Sequence, residues 1–432
     1  MMGKKRQATS YGCQQNLLAN IEIDSNTSLF DVLGFICSEA NKLTNCAIYY
    51  ARQLYFKTGK LIGKFDLDAQ YKKNLHYVAM FSQSAQQTLL SVYESFRSYS
   101  GLKALFRTGE LDQRPKLPNY RTKGGYSVVS YPRQHLKLID GKIRIPLGNT
   151  VKRWFGLDSF YVQMPINLSF DALKELRIVP KNQHFYIEFV YHVVCENKQL
   201  DKTQALSIDP GLNNWLTCVS TQGKGFIVDG LHLKSMNQWY NKVISRLQEL
   251  GLSGSERFYS VVEKRNRQVR DAINKAARII INHCLENDIG IVVFGWNKGQ
   301  KQECNMGRLN NQKFVQVPTA RLKQRIQQLA ERYGIQFVET EESYTSKSSF
   351  LDGDELPIFG EKPEGYFPSG KRVKRGLYRT AKNWLVNADA NGAANILKKA
   401  SRNLDLDLSR LSRGTLTTLA RIKLWVSNPS LA

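Results

Sequence analysis

Two carboxylates stand where an apolar or small-residue element meets a turn. Asp209 ends the run Ala205-Leu-Ser-Ile-Asp209, and Pro210-Gly211 turns the chain at once. Asp389 lies in Val386-Asn-Ala-Asp-Ala-Asn-Gly-Ala-Ala-Asn-Ile396, at the start of a small-residue helix. Two acids from distant segments, each at the end of an element, suit a metal site between strand and helix. Mg²⁺ takes oxygen ligands and keeps several waters, so few protein carboxylates suffice. Each acid alone also has a plainer reading, since Asp favours turns and helix caps: Asp209 starts a turn and Asp389 caps a helix.

The elements that must position these acids follow from periodicity. Asn214–Ser220 and Gly225–Asp229 continue from Asp209 as a three-strand meander. Trp239, Val243, Leu247 and Leu250 suggest one helix face, and a longer helix runs from about Glu256 to Asn287, with Val262, Val269, Ile273, Ala276, Ile280 and Cys284 on one stripe. Ile289–Phe294 is apolar throughout, as a strand covered on both faces would be. Pro318 opens a helix with Leu322, Ile326, Leu329 and Tyr333 in register, and Ile335–Thr340 is the next strand. Strands alternating with helices make this half α/β. Residues 343–382 are polar and loop-rich, acidic first and strongly basic at the end. The tail from Arg402 is basic and weakly patterned.

Upstream, residues 28–110 contain no Pro and read as helices, with Tyr49, Tyr50, Tyr55, Phe56, Tyr71 and Tyr77 set among Arg52, Lys57, Lys60, Lys64, Lys72 and Lys73. Aromatics among cations suit base stacking and phosphate contact, and equally an aromatic core under a basic face. Residues 111–203 are punctuated by prolines, and His184–Val193 alternates as a strand. A small antiparallel barrel fits, completed by a short strand around Leu18, Ile21 and Ile23, with the helical block inserted into it.

The chain has 432 residues, 62 Lys and Arg against 37 Asp and Glu, and a formal charge of +25. The bases are spread along its length, which favours a long polyanion; nucleic acid leads, and an anionic membrane surface is the other reading. No apolar run approaches a membrane span and no secretory segment follows Met1, so a cytoplasmic, nucleoid-associated prokaryotic protein is expected. The seven cysteines form no Cys-x-x-Cys pair, which predicts buried thiols rather than a zinc ribbon or disulfide framework.

Strand-Asp, meander, helices, apolar strand and late helix-starting Asp together describe a split RNase H-like nuclease. Ser207-Ile-Asp-Pro-Gly-Leu-Asn213, Ser343-Tyr-Thr-Ser-Lys347 and Asn387-Ala-Asp-Ala-Asn-Gly-Ala-Ala-Asn-Ile396, with a weaker match at Leu117-Pro-Asn-Tyr120, resemble the signature blocks of the TnpB family. These are insertion-sequence proteins similar to type V CRISPR nucleases. The resemblance implies a multidomain α+β protein that cuts DNA beside a short adjacent motif, guided by a transposon-derived RNA, with a RuvC-like two-metal site. The implied layout is a wedge β-barrel (1–27 and 111–203) carrying a helical recognition domain (28–110). A RuvC-like nuclease follows (204–342 and 383–432, with the basic tail), interrupted by a target-nucleic-acid-binding module (343–382). Its partners would be guide RNA and target double-stranded DNA, and its state a monomer in the ribonucleoprotein, with no membrane.

Two departures from the family pattern bear on chemistry. The module lacks the family's two Cys-x-x-Cys pairs: Lys347-Ser-Ser-Phe-Leu-Asp352 and Lys374-Arg-Gly-Leu-Tyr378 stand in their places, so zinc is expected to be absent. The family's middle Glu, at the end of the apolar strand, is also missing, because that strand runs into Phe294-Gly-Trp-Asn297. Glu341-Glu342, at the end of the next strand, could supply a replacement. The resemblance implies a relocated glutamate of this kind, as in some members of the family. Glu342 is favoured, Glu341 is the alternative because alternation lets only one of the pair point inward, and Glu339 is a weaker third. The implied catalytic and metal-holding set is Asp209, Glu342 and Asp389, with Mg²⁺ or Mn²⁺ as cofactor. Competing readings are a nuclease-inactive RNA-guided repressor, an RNA-binding transposition accessory protein, and a DNA-joining transposase.

Overall fold

The computed structural model describes residues 10–25, 27–297 and 318–425. The basic residues Lys4, Lys5 and Arg6, and Cys304, lie outside them. The chain forms two compact units, one spanning Thr9–Val193 and the other from Val194 onward.

In the first unit the strand β1 is Ser10–Leu17, and four helices follow: α1 (Leu29–Thr58), α2 (Asp66–Tyr71), α3 (Leu75–Val78) and α4 (Ser82–Arg107). Ser28 and Asp31 build a reciprocal capping box at the start of α1, and Gly59 ends it in the left-handed conformation. The later elements are β2 (Val129–Pro132), β3 (Lys137–Ile139), β4 (Lys142–Pro146), α5 (Asn149–Phe155), β5 (Ser159–Gln163), β6 (Leu173–Lys181) and β7 (His184–Val193).

The expected barrel is instead two antiparallel sheets, β1-β7-β6-β2 and β3-β4-β5, with no strand pairing between them among the described residues. The N-terminal strand does join β7, pairing Cys13 with Val190, but it lies earlier than Leu18–Ile23. Its sequence is largely polar, so pairing with β7 decides its conformation where apolar alternation could not. Helices and sheets share one core, in which Leu33, Leu43 and Phe96 meet Ile143, Leu176 and Phe189.

The second unit is built on β8 (Asp201–Pro210), β9 (Asn214–Ser220), β10 (Gly225–Asp229), β11 (Ile289–Gly295), β12 (Gln336–Thr340) and β16 (Ala420–Ile422). Their order is β12-β11-β8-β9-β10-β16. β8, β9 and β10 are antiparallel, whereas β11 runs parallel to β8 and β12 parallel to β11. This is the mixed sheet that an RNase H-like reading requires.

Alternate residues of β8 and β11 face opposite sides. Leu206, Ile208, Val292 and Phe294 pack under α7 (Glu256–Glu286) and α8 (Thr319–Tyr333). Ala205, Ile291 and Val293 pack under α9 (Ala388–Ala400). Helix α6 (Leu231–Glu249) is rotated from the expected face: Leu233, Met236 and Leu247 are buried, while Trp239 and Leu250 are exposed.

Residues 341–384 are mostly loop with two short strands, β13 (Lys371–Lys374) and β14 (Leu377–Arg379); β15 (Leu385–Asn387) completes their sheet and runs straight into α9. Two buried side chains of α9 latch these loops onto it, and a third buried side chain, Tyr378 of β14, ties the loops together. Asn391 Nδ2 donates to Ser348 O (2.7 Å), Asn395 Nδ2 donates to Thr345 O (2.8 Å), and Tyr378 Oη donates to Lys347 O (2.8 Å). The short helix α10 (Arg413–Thr417) precedes β16. Of the described cysteines, Cys37, Cys218 and Cys284 are buried as expected, whereas Cys13 is exposed.

Candidate active site

Asp209 sits at the C-terminal end of the central strand β8. Because Phe294 is opposite Ile208, Gly295 ends β11 level with Asp209; Gly295 in turn is opposite Thr340 on β12. Thr340 and Glu342 share one side of the backbone alternation, so Glu342 follows β12 on the side facing α9.

Gly295 decides how the acids meet. A Cβ at this position would lie 2.6 Å from Glu342 Oε1 and 2.9 Å from its Cγ. The Glu342 carboxylate therefore fills the space that a side chain at 295 would need. A glutamate at 295 and this placement of Glu342 exclude each other.

Gly392 makes a second close approach: a Cβ there would lie 2.7 Å from Asp209 Oδ2. The small residues Ala388, Ala390, Ala393 and Ala394 let α9 settle on the sheet, where Ser207 Oγ donates to Ala393 O (2.7 Å).

The helix cap is not Asp389. Asn387 caps α9, its Oδ1 accepting from the backbone N–H of Asp389 (2.9 Å) and Ala390 (3.0 Å). The Asp389 carboxylate is thereby left for other partners. Asn214 Nδ2 donates to its Oδ2 (2.7 Å), and Arg372 Nη2 of β13 donates to its Oδ1 (3.1 Å).

Electrostatics tie the three acids together. Asp209 keeps partial solvent access, yet dense surrounding protein is the largest cause pushing its carboxyl well above the usual carboxylate range. The negative charges of Glu342 and Asp389 push the same way, and Arg372 partly offsets them. Glu342 is raised to about 7, mainly by burial and then by the Glu341 charge. Its Oε1 is buried without a hydrogen-bond partner.

Glu341 points elsewhere. Burial raises it, but hydrogen bonds from Lys399 and Ser343 and the Lys399 charge hold it below the ordinary range; Lys399 Nζ donates to its Oε2 at 2.6 Å. Glu339 is exposed and paired with Lys323 (2.6 Å). Among the described residues, no three His, Cys, Asp or Glu side chains converge as a ready-made metal cage. The two oxygens of Asp389 are instead turned to Asn214 and Arg372.

Sequence reasoning did not single out Asn214, Arg372 or Gly392 as site residues. Asn214 follows the Asp209 block by a few residues and Gly392 lies inside the Asp389 block, so proximity to those blocks was a usable signal. Arg372 arrives through tertiary structure from a segment that looks merely basic.

Comparison with known proteins agrees with the blocks read from the sequence. Residues 188–299 match a family described as a probable transposase, OrfB_IS605, and residues 320–396 match the Cas12f1-like TNB domain. A curated relative, the TnpB-like protein ORF457 of Acidianus two-tailed virus, is 22% identical over 397 residues, spanning 83% of this chain and 81% of the relative. Among solved structures, a Cas12f1-sgRNA-target DNA complex aligns at 16% identity over 85% of this chain and 82% of that one, with a TM-score of 0.47. The mini-RNA-guided endonuclease CRISPR-Cas_phi3 aligns at 9% identity over 91% and 92%, with a TM-score of 0.44. The two family matches, which cover the strand carrying Asp209 and the helix carrying Asp389, together with the TnpB-like relative, show this chain to be similar to proteins of the TnpB family.

Proposed function

We propose that the protein is an RNA-guided DNA endonuclease whose RuvC-like site uses Asp209, Glu342 and Asp389. The observation that carries this reading is the exchange at Gly295. The strand end that lacks a carboxylate is the place into which Glu342 puts one, beside Asp209. A site losing function would have no reason to refill the space with an acid.

The residues fit Mg²⁺ or Mn²⁺. The donors are all carboxylate oxygens, Glu342 Oε1 is buried without a partner, and Asp209 is raised by two neighbouring negative charges that a cation would relieve. Asp209 would be shared between two ions, and Glu342 and Asp389 would each hold one. Bound there, the ions supply an activated water for attack on the phosphodiester and stabilise charge on the leaving 3′ oxygen.

The chain's own part is positioning. β8 and α9 hold Asp209 against Gly392. Asn297 Oδ1 accepts the Glu342 backbone N–H (2.9 Å) and fixes the turn after β12. Arg372 gives the acids a counter-charge before metal arrives and must leave Asp389 Oδ1 when it does.

The basic surface and the family's domain layout support the partners. Residues 28–110 would act as recognition helices, 1–27 and 111–203 as the wedge, and 343–382 as the target-binding module, on a monomer carrying guide RNA and double-stranded target DNA. No helix among the described residues is long and apolar enough to cross a membrane.

One observation favours a nuclease-inactive guided binder, namely that Asp389 meets Arg372 and the acids do not yet form a cage. Cleavage of matched plasmid by the protein co-expressed with its flanking DNA separates the readings. The nuclease reading expects Mg²⁺-dependent cutting that Asp209→Asn abolishes while guide and target binding persist. Binding without cutting by wild type would establish the guided binder instead.

A further inference from the structure

We infer that Asn214 and Arg421 form a positioning relay that presents a single oxygen of Asp389 to the metal, making the C-terminal edge strand part of the nuclease site. The inference rests on the metal-dependent reading above and extends it to residues that touch no metal.

The relay is a chain of short contacts. Asn214 Nδ2 donates to Asp389 Oδ2 at 2.7 Å. Arg421 Nη2 donates to Asn214 Oδ1 at 2.7 Å, and Arg421 Nη1 donates to Asp229 Oδ2 at 2.7 Å. The other oxygen of Asp229 accepts the backbone N–H of Leu231 at the start of α6 (2.7 Å), so Asp229 is itself fixed.

The orientation of the amide is dictated by chemistry. A guanidinium has donors only, so Asn214 must turn its carbonyl oxygen to Arg421. An ionised carboxylate accepts only, so the amide NH₂ must face Asp389. A flipped Asn214 would lose both bonds. The amide also keeps the Arg421 charge one side chain away from Asp389. Oδ2 is committed to Asn214, and Oδ1, where Arg372 now sits, is left as the atom for a metal ion.

The fold goes to some length to bring Arg421 there. After α9 the chain crosses to the far edge of the sheet and adds β16 parallel to β10, with Arg421 in register with Ile227. Leu424 is buried beyond it, and Trp425 Nε1 donates to Asp271 Oδ2 (3.0 Å), anchoring the strand on α7. A tail that reads as weakly patterned basic sequence therefore ends in a pinned strand whose arginine reaches toward the site.

The test measures Mn²⁺ binding to the guide-loaded protein by electron paramagnetic resonance, alongside the Mg²⁺ concentration for half-maximal cleavage. Wild type is compared with Asn214→Ala, Arg421→Ala, their double variant and Arg421→Lys. Residues that orient a metal ligand typically change affinity by about 10–100-fold. Each alanine variant should therefore bind Mn²⁺ about tenfold more weakly, and the double variant no more weakly than Asn214→Ala alone. Arg421→Lys, which keeps the charge, should recover part of the loss. Guide and target affinity should stay at the wild-type level. Arg421 is partly exposed at a sheet edge, and the lysine variant keeps the comparison informative should the alanine variant fold poorly. Wild type binding Mn²⁺ with all variants within twofold of it would overturn the relay alone. Wild type binding no Mn²⁺ would overturn the site reading and the relay with it.

Discussion

Glu342 and Gly295 form one unit at the scale of single residues. Glu342 is held uncharged to about pH 7 by burial, against an ordinary value of 4.5. For an acid whose folded pKa is raised, ionisation costs the folded state. The cost is absent below the unfolded pKa, grows as pH rises through the interval, and is full above the folded value. Glu342→Gln should therefore stabilise the metal-free protein by about 1–3 kcal/mol at pH 8 and by much less near pH 4.5. Denaturant unfolding at both pH values checks this; an equal effect at the two would contradict it. Arg372→Ala should lower the Mg²⁺ concentration needed for half-maximal cutting, because it removes a cation from Asp389 Oδ1; an unchanged requirement would contradict the competition. Asp209 and Asp389 stood out in the sequence as acids at the ends of elements, and two-residue alternation allowed only one of Glu341 and Glu342 to point inward; the preference for Glu342 came from the family resemblance. The collision between a side chain at 295 and Glu342 was not, because it depends on how β11, β12 and α9 stack.

At the scale of elements, α9 organises the second unit. Its small residues admit the sheet on one side, and Asn391, Asn395 and Lys398 hold the 343–382 loops on the other, with Lys398 Nζ donating to Asp354 O at 2.7 Å. Within those loops Asp352 Oδ2 accepts from Ser349 Oγ (2.6 Å), Ala381 N (2.7 Å) and Ser369 Oγ (3.3 Å). It ties together segments that lie far apart in the 343–382 stretch. Asp352→Ala should destabilise the unit by about 1–3 kcal/mol, through loss of three hydrogen bonds to one carboxylate, of whose donors Ser349 is buried, and open 343–382 to limited proteolysis. A chelator should leave the wild-type melting temperature unchanged; a fall on chelation would contradict a module held by packing and hydrogen bonds. Long periodic elements such as α1, α7 and β11 were readable from apolar spacing alone. β1 and the buried face of α6 were not, since one is a largely polar edge strand and the other is turned by its partner α7 rather than by its own pattern.

At the scale of the whole molecule, the +25 charge is distributed over both units rather than concentrated at the acids. Binding and cutting should therefore separate. Affinity for target DNA should fall steeply and log-linearly with salt, as release of counterions requires, while substitutions at Asp209 leave that slope untouched. Filter binding of wild type and Asp209→Asn between low and physiological salt would show this, and a slope altered by the substitution would mean that the site itself carries binding. The composition pointed to a polyanion as partner, and the sequence blocks pointed to the family that the chain resembles in the comparisons. What neither announced is the return of the C-terminal tail to the sheet edge, because Arg421 has no local pattern and gains meaning only from Asp229 and Asn214.

The central claim is that Glu342 does the work of a carboxylate missing at position 295. The most direct measurement is Mg²⁺-dependent cleavage of matched plasmid by wild type, Glu342→Ala and the double variant Gly295→Glu with Glu342→Ala. Glu342→Ala should lose cutting while keeping guide and target binding. The double variant, in which the emptied space receives a glutamate from β11, should regain a measurable part of it. Cutting by Glu342→Ala at the wild-type rate would contradict the account.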